Sequence, residues 1–102
     1  MVKKYDKVII KASSNPKKKL DAVFSNTKGG RTKTISFGAK NMDDYTITKD
    51  KEQRARYRSR HKKDLQTGDP TRAGYLSWHI LWGNSTSRRE NIASYKSRFG
   101  FK

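Results

Sequence analysis

The chain has no cysteine, which excludes disulfide staples and thiolate metal sites and fits synthesis in a reducing cytosol. It also lacks long apolar runs. The longest, Val8-Ile9-Ile10 and Ile80-Leu81-Trp82, fall far short of a membrane span, and the lysine-rich start has no apolar segment of the signal-peptide kind. Histidine is nearly absent, with His61 and His79 alone, and acids are few and placed mostly at turns and helix starts. Neither a catalytic triad nor a metal site assembles from these spacings, so the sequence reads as non-enzymatic, with no cofactor. Gly29-Gly30-Arg31 lacks the lysine and serine of a phosphate-cradling loop.

What is present in excess is positive charge. Against 9 Asp plus Glu stand 25 Lys plus Arg, a net charge of +16 on 102 residues. Such a chain repels itself when folded, and an anionic partner relieves that repulsion. With 31% hydrophobic residues it buries a thin core and makes one domain at most, divided into a strand-rich basic part (1–40) and a helical part (41–102).

The first part predicts a small antiparallel β-meander. β-branched residues dominate from Val2 to Lys11, and Ser13-Ser14-Asn15-Pro16 supplies turn chemistry. After the triplet Lys17-Lys18-Lys19, the residues Leu20, Ala22 and Phe24 alternate with Asp21, Val23 and Ser25. Beyond Gly29-Gly30, Ile35 and Phe37 again share one face, which predicts a hairpin. Gly38 reads as a strand exit. The single apolar layer needs cover from helices or from a neighbour.

After about residue 40 the period becomes helical, and three short helices complete an α+β fold. Asp50 with Gln53 resembles an acidic capping box before a helix over 51–63, whose only bulky apolar residue is Tyr57; such a helix is expected to dock through Tyr57, Ala55 and His61, or to be stabilised by what its arginines bind. Pro70, capped by Asp69, is suited to open a helix over 70–82. Thr71, Tyr75, Trp78 and Trp82 share a face there beside Gly74 and Leu81, and Gly83 ends the helix. Ser87 and Glu90 have capping-box spacing for a helix over 87–99 with the stripe Ile92, Tyr95 and Phe99, ended by Gly100. Phe37, Tyr57, Tyr75, Trp78, Leu81, Trp82, Ile92, Tyr95 and Phe99 are the expected anchors. Helical spacing favours packing over base stacking for the aromatics among them.

Candidate partner contacts are Lys17, Lys18, Lys19, Arg54, Arg56, Arg58, Arg60, Lys62 and Lys63. On a helix the four arginines spiral round the axis, a pattern compatible with a solvated helix ion-paired to Glu52 and Asp64, with nucleic acid, or with an acidic protein surface.

Four segments together carry a resemblance: Phe37-Gly38-Ala39-Lys40, Asp44-Tyr45-Thr46 with Lys49-Asp50, Arg60-His61 with Lys63, and Ala73-Gly74 followed by Ser77-Trp78 and Leu81-Trp82. In this order they resemble a family of small basic virion proteins of large nucleocytoplasmic DNA viruses, from Ile35 to Phe99. Several relatives carry W-N-K-P-T where this chain has Trp82-Gly83-Asn84-Ser85-Thr86. The resemblance implies a virion component made in the host cytoplasm; a thin core, three small helices, a strand-rich arm and a large positive charge then favour a structural piece wedged between larger proteins, a minor capsid or cement protein of a large icosahedral double-stranded DNA virus, partnered by the major capsid protein and other minor capsid proteins. It attaches no catalytic residue. The alternative is an internal protein that binds or condenses viral DNA. A ribosome-like RNA-binding protein fits the composition but has no matching motif.

Overall fold

A computed structural model describes residues 5–102. Three strands form an antiparallel sheet in the order β1 (Lys7–Ala12), β2 (Lys18–Ser25) and β3 (Lys33–Ala39). The residues 2–4 of the expected first strand lie outside the described residues. The turn between β1 and β2 closes on its own side chains: Ser13 Oγ accepts from Asn15 N, and Asn15 Oδ1 accepts from Lys17 N at 2.9 Å. Register pairs Ile10 with Ala22 and Val8 with Phe24, then Ala22 with Ile35 and Leu20 with Phe37, which gathers the apolar alternation on one side. Asp21, next in the strand to Leu20 and Ala22, is buried but satisfied by the hydroxyls of Ser13 and Ser36, each at 2.6 Å.

The helical half starts with a single turn that the sequence did not announce, α1 (Tyr45–Thr48), capped by Asp44. Then come α2 (Lys51–His61), continued by a 3₁₀ segment over Lys62–Thr67, α3 (Ala73–Leu76), which runs into a π-turn over Ser77–Leu81, and α4 (Arg88–Phe99). The expected start of the middle helix at Pro70 is wrong. Asp69 spends its carboxylate on Thr71, whose N–H and hydroxyl it accepts at 2.9 and 2.7 Å, so a turn forms there and the helix waits until Ala73. Its end is also earlier: Trp82 donates to Ser77 O across five residues at 3.0 Å, and Trp82, not Gly83, is the cap. The caps of α4 are as expected, Ser87 accepting from Glu90 N and Gly100 adopting a left-handed backbone (φ 72°).

Val8, Ala22, Phe24 and Phe37 on the sheet meet Leu76, Ile80, Leu81, Trp82, Tyr95 and Phe101 in one core. Ile80, Leu76 and Phe101 were not among the expected anchors. Tyr75, Ile92 and Phe99, which were, are only partly buried. Phe101 reaches Phe24 (5.4 Å between centroids) and Tyr95 (5.8 Å), and Lys102 joins the β1 edge, donating to Asp6 O and accepting from Val8 N.

The turn into α4 is built around buried Asn91, whose amide donates to Ile80 O (2.9 Å) and Ser85 O (2.7 Å) and accepts from Ser85 N (3.0 Å). Gly83 makes room for it. A Cβ there would sit 2.2 Å from His79 O and 2.7 Å from the Asn91 amide, and backbone cannot step aside. Gly83→Ala is therefore expected to lower stability by about 2 kcal/mol or more, an overpacking cost. Urea denaturation measures it, and an unchanged midpoint would show that the turn yields easily.

Candidate functional site

The basic helix α2 buries none of its residues fully, so something other than a hydrophobic stripe must hold it. Its start is fixed by Asp50, whose side chain accepts from Glu52 N (2.9 Å) and Gln53 N (3.1 Å). The Gln53 side chain turns instead to the Thr48 hydroxyl at 2.7 Å, tying α1 to α2.

Docking comes from one face with two kinds of contact. Tyr57 lies flat on Trp82, with ring centroids 4.3 Å apart and planes 6° from parallel, and His61 stacks on the other side of Tyr57 at 4.2 Å. Flanking this stack, Arg54 Nε donates to Trp82 O (3.2 Å) and Gly83 O (2.8 Å), and its Nη2 donates to Asn84 Oδ1 (2.6 Å). Arg58 Nε donates to the same Trp82 O (3.1 Å), with its guanidinium 4.6 Å above the Trp78 ring. Carbonyls left open where the α3 helix and its π-turn end thus receive cationic donors at the negative end of the helix dipole. Burial, reinforced by the neighbouring Arg54, pulls the Arg58 pKa down to about 10, and burial pushes the Tyr57 phenol up to about 12.

This corrects several expectations. Ala55 is exposed and takes no part in docking. Among the described residues the arginines of α2 pair with neither Glu52 nor Asp64; Asp64 engages His61 Nδ1 at 3.1 Å. Nor do the four arginines spiral without order. At 100° per residue Arg54 and Arg58 fall within about 40° of each other, with Tyr57 and His61 beside them, while Arg56 and Arg60 point the opposite way. Two arginines hold the fold, and Arg56, Arg60, Lys62 and Lys63 are exposed.

The lysine triplet divides similarly. Lys17 is exposed and Lys18 half-buried, but the Lys19 side chain is 7% exposed and reaches Asp44 Oδ2 at 2.6 Å and the Met42 carbonyl. Asp44 is fully buried and joins three elements: besides Lys19 on β2, it accepts from Arg88 Nη2 of α4 (3.1 Å), and from Thr46 N (2.9 Å) and the Thr46 hydroxyl of α1. Burial alone would raise its pKa, but Lys19, Thr46 and Arg88 outweigh it and hold the carboxylate below its ordinary value. Asp44 and Arg88 were not foreseen as a pair.

Between the β3 exit, the loop after it and α2 lies an open cleft of about 420 Å³, floored by Leu81, Trp82 and Tyr57 and edged by Arg60, His61 and the two-thirds exposed Met42. Gly38 shapes its floor: with φ +78°, and with Leu81 Cδ1 2.6 Å from where a Cβ would stand, only glycine fits. Among the described residues no group of three or more His, Asp and Glu is placed to hold a metal ion, and no helix is long and apolar enough to cross a membrane.

Residues 8–61, more than half of the chain, match the model of a family of unknown function, DUF5754. The chain belongs to that family. The DUF5754 match takes in β1 from Val8 onward, β2, β3, α1 and α2, and with them Lys19, Asp44, Arg54, Tyr57 and Arg58; their partners Trp78, Trp82, Gly83, Asn84 and Arg88 lie beyond it. No curated protein and no solved structure matches the chain.

Proposed function

We propose that this DUF5754 protein is a non-enzymatic structural virion protein, a minor capsid or cement protein of a large icosahedral double-stranded DNA virus, seated against the major capsid protein and other minor capsid proteins. The observation that carries this reading is the work done by the residues on which the virion-protein resemblance rests. Gly38 seats Leu81, Asp44 ties a strand to two helices, Asp50 caps α2, and His61, Tyr57 and Trp82 form one stack. They are joints. Gly38, Asp44, Tyr57, His61 and Trp82 also border the cleft, but what they bring to it is packed rings and a carboxylate already engaged by Lys19, Thr46 and Arg88, in place of a nucleophile with its base. The cations left over face outward and suit acidic protein surfaces, whose carboxylates they neutralise across an interface.

The outward side of α2 favours a second reading. With Arg54 and Arg58 withdrawn, Arg56 and Arg60 share one face and Lys62 and Lys63 follow, a basic stripe that also suits the phosphates of viral DNA. Both modes weaken with salt, so salt dependence does not separate them. Purified protein offered capsid protein and duplex DNA in parallel does. Association with the capsid protein, and retention in shells emptied of genome, is the expected result; tight DNA binding without capsid association would reverse the order of the two readings.

A further inference from the structure

A small polar-walled pocket of about 140 Å³ opens between α2, the π-turn and α4. Arg58, His79 and Arg98 line it, with Ser94 and the Asn84 and Asn91 amides, and no carboxylate does. Arg58 is fixed: its Nε is held by Trp82 O and its guanidinium lies over Trp78, which leaves its two terminal nitrogens as donors. Arg98 makes no ion pair among the described residues. The Asn84 amide presents its NH2 end, since its oxygen already accepts from Arg54. The helix-end carbonyls that would repel an anion are taken up by Arg54 and Arg58.

We infer that this pocket binds a phosphate group, as inorganic phosphate or a phosphomonoester, clamped between Arg58 and Arg98 and completed by Ser94 and Asn84. Donors converging from two helices and a turn suit a tetrahedral oxyanion better than a planar carboxylate, and guanidinium forks match phosphate oxygens two at a time. His79 registers the empty state. Burial first, then the charges of Arg98 and Arg58, pull its pKa down to about 4, while the other titratable side chains packed on it are the phenols of Tyr75 and Tyr95. A bound phosphate, a monoanion at the pH where His79 titrates, offsets the charges of Arg58 and Arg98, so occupancy raises the His79 pKa.

The test follows the His79 ring and the Trp78 indole by NMR in the full chain. Inorganic phosphate, a nucleoside monophosphate and acetate are titrated at ionic strength matched with chloride. Saturable shifts with inorganic phosphate, a His79 pKa that rises with occupancy, and weaker or absent acetate binding are expected. The nucleoside monophosphate arm tells a free phosphate site from one that also admits an ester. Arg98→Gln, which removes no ion pair among the described residues and only a distant cation–π contact with Phe99 (5.9 Å), is expected to weaken phosphate about tenfold or more, the loss of one charge-assisted contact. Arg89→Gln, an exposed change on the same helix, should leave binding unaltered. Shifts that chloride reproduces, acetate binding as tightly as phosphate, or equal affinities for the two variants would each overturn the assignment.

Discussion

Asp44→Ala is expected to destabilise the protein by about 3–5 kcal/mol, the usual result of removing one partner from a buried ion pair. Lys19, with its side chain 7% exposed, would be left with only the Met42 carbonyl, and Arg88 would lose the carboxylate that fastens α4 to the loop before α1. A domain of this size has a total stability of about 5–15 kcal/mol, so the variant stands at the edge of folding at all. Asp44→Asn keeps the shape and can still accept from Thr46, so it should fall between the two. The same pair gives a pH signature. The folded pKa of Asp44 is lowered, so its contribution is present above the ordinary value of 3.8 and lost as pH falls through the lower folded value. The stability gap between wild type and Asp44→Asn should therefore be widest at neutral pH and close in acid. Urea titrations across pH read this, and a gap that widens in acid would contradict the assigned ion pair.

Trp82→Ala is expected to cost about 3–5 kcal/mol by loss of a large core aromatic. Trp82 is 7% exposed, and its ring is the surface on which Tyr57, and through it α2, is stacked. The indole is removed while Arg54 and Arg58 still reach the residue's carbonyl and still lie over Tyr45 and Trp78, so α2 should remain attached by its arginines. Trp78→Ala makes the comparison informative: Trp78 is buried under the Arg58 guanidinium, so its loss also strips a cation from its ring. Thermal denaturation followed by far-UV circular dichroism gives the magnitude. Tryptophan fluorescence in the wild type should be shielded from quenchers, and a loss below about 1 kcal/mol for Trp82→Ala would mean that the stack carries little of the core.

The sheet was legible because alternation survives in every strand: Val8 and Ile10, then Leu20, Ala22 and Phe24, then Ile35 and Phe37, all meet on one side. The ends of α4 were legible for a similar reason, since Ser87 and Gly100 act within a turn of their position. Nonlocal polar bonds were not. In a run of three lysines nothing marks Lys19 as the buried one; its partner lies 25 residues on, and Arg88 a further 44. Periodicity carries no information across such distances. α1 has four residues, too few to establish a period, and the π-turn shifts the contacts that an α-helical projection assigns to residues 77–82. For the arginines a signal did exist. Arg54 and Arg58 are four apart and bracket Tyr57, which places them with the aromatic face instead of around the helix. Of the candidate partner contacts on α2 and the lysine triplet, Arg56, Arg60, Lys62 and Lys63 are exposed, whereas Lys19, Arg54 and Arg58 serve the interior.

The apolar side of the sheet is covered chiefly by side chains from beyond His61, namely Leu76, Ile80, Leu81, Trp82, Tyr95 and Phe101. During synthesis the three strands leave the ribosome first and have nothing to lie against. Val8, Phe24 and Phe37 must wait in water, and the nascent segment is at its most prone to sticking to other chains until α4 and Phe101 have emerged. The stretch that defines family membership is consequently less than a folding unit: released at His61 it would keep the strands and lose their roof, so sheet and helices are expected to melt together in one cooperative transition.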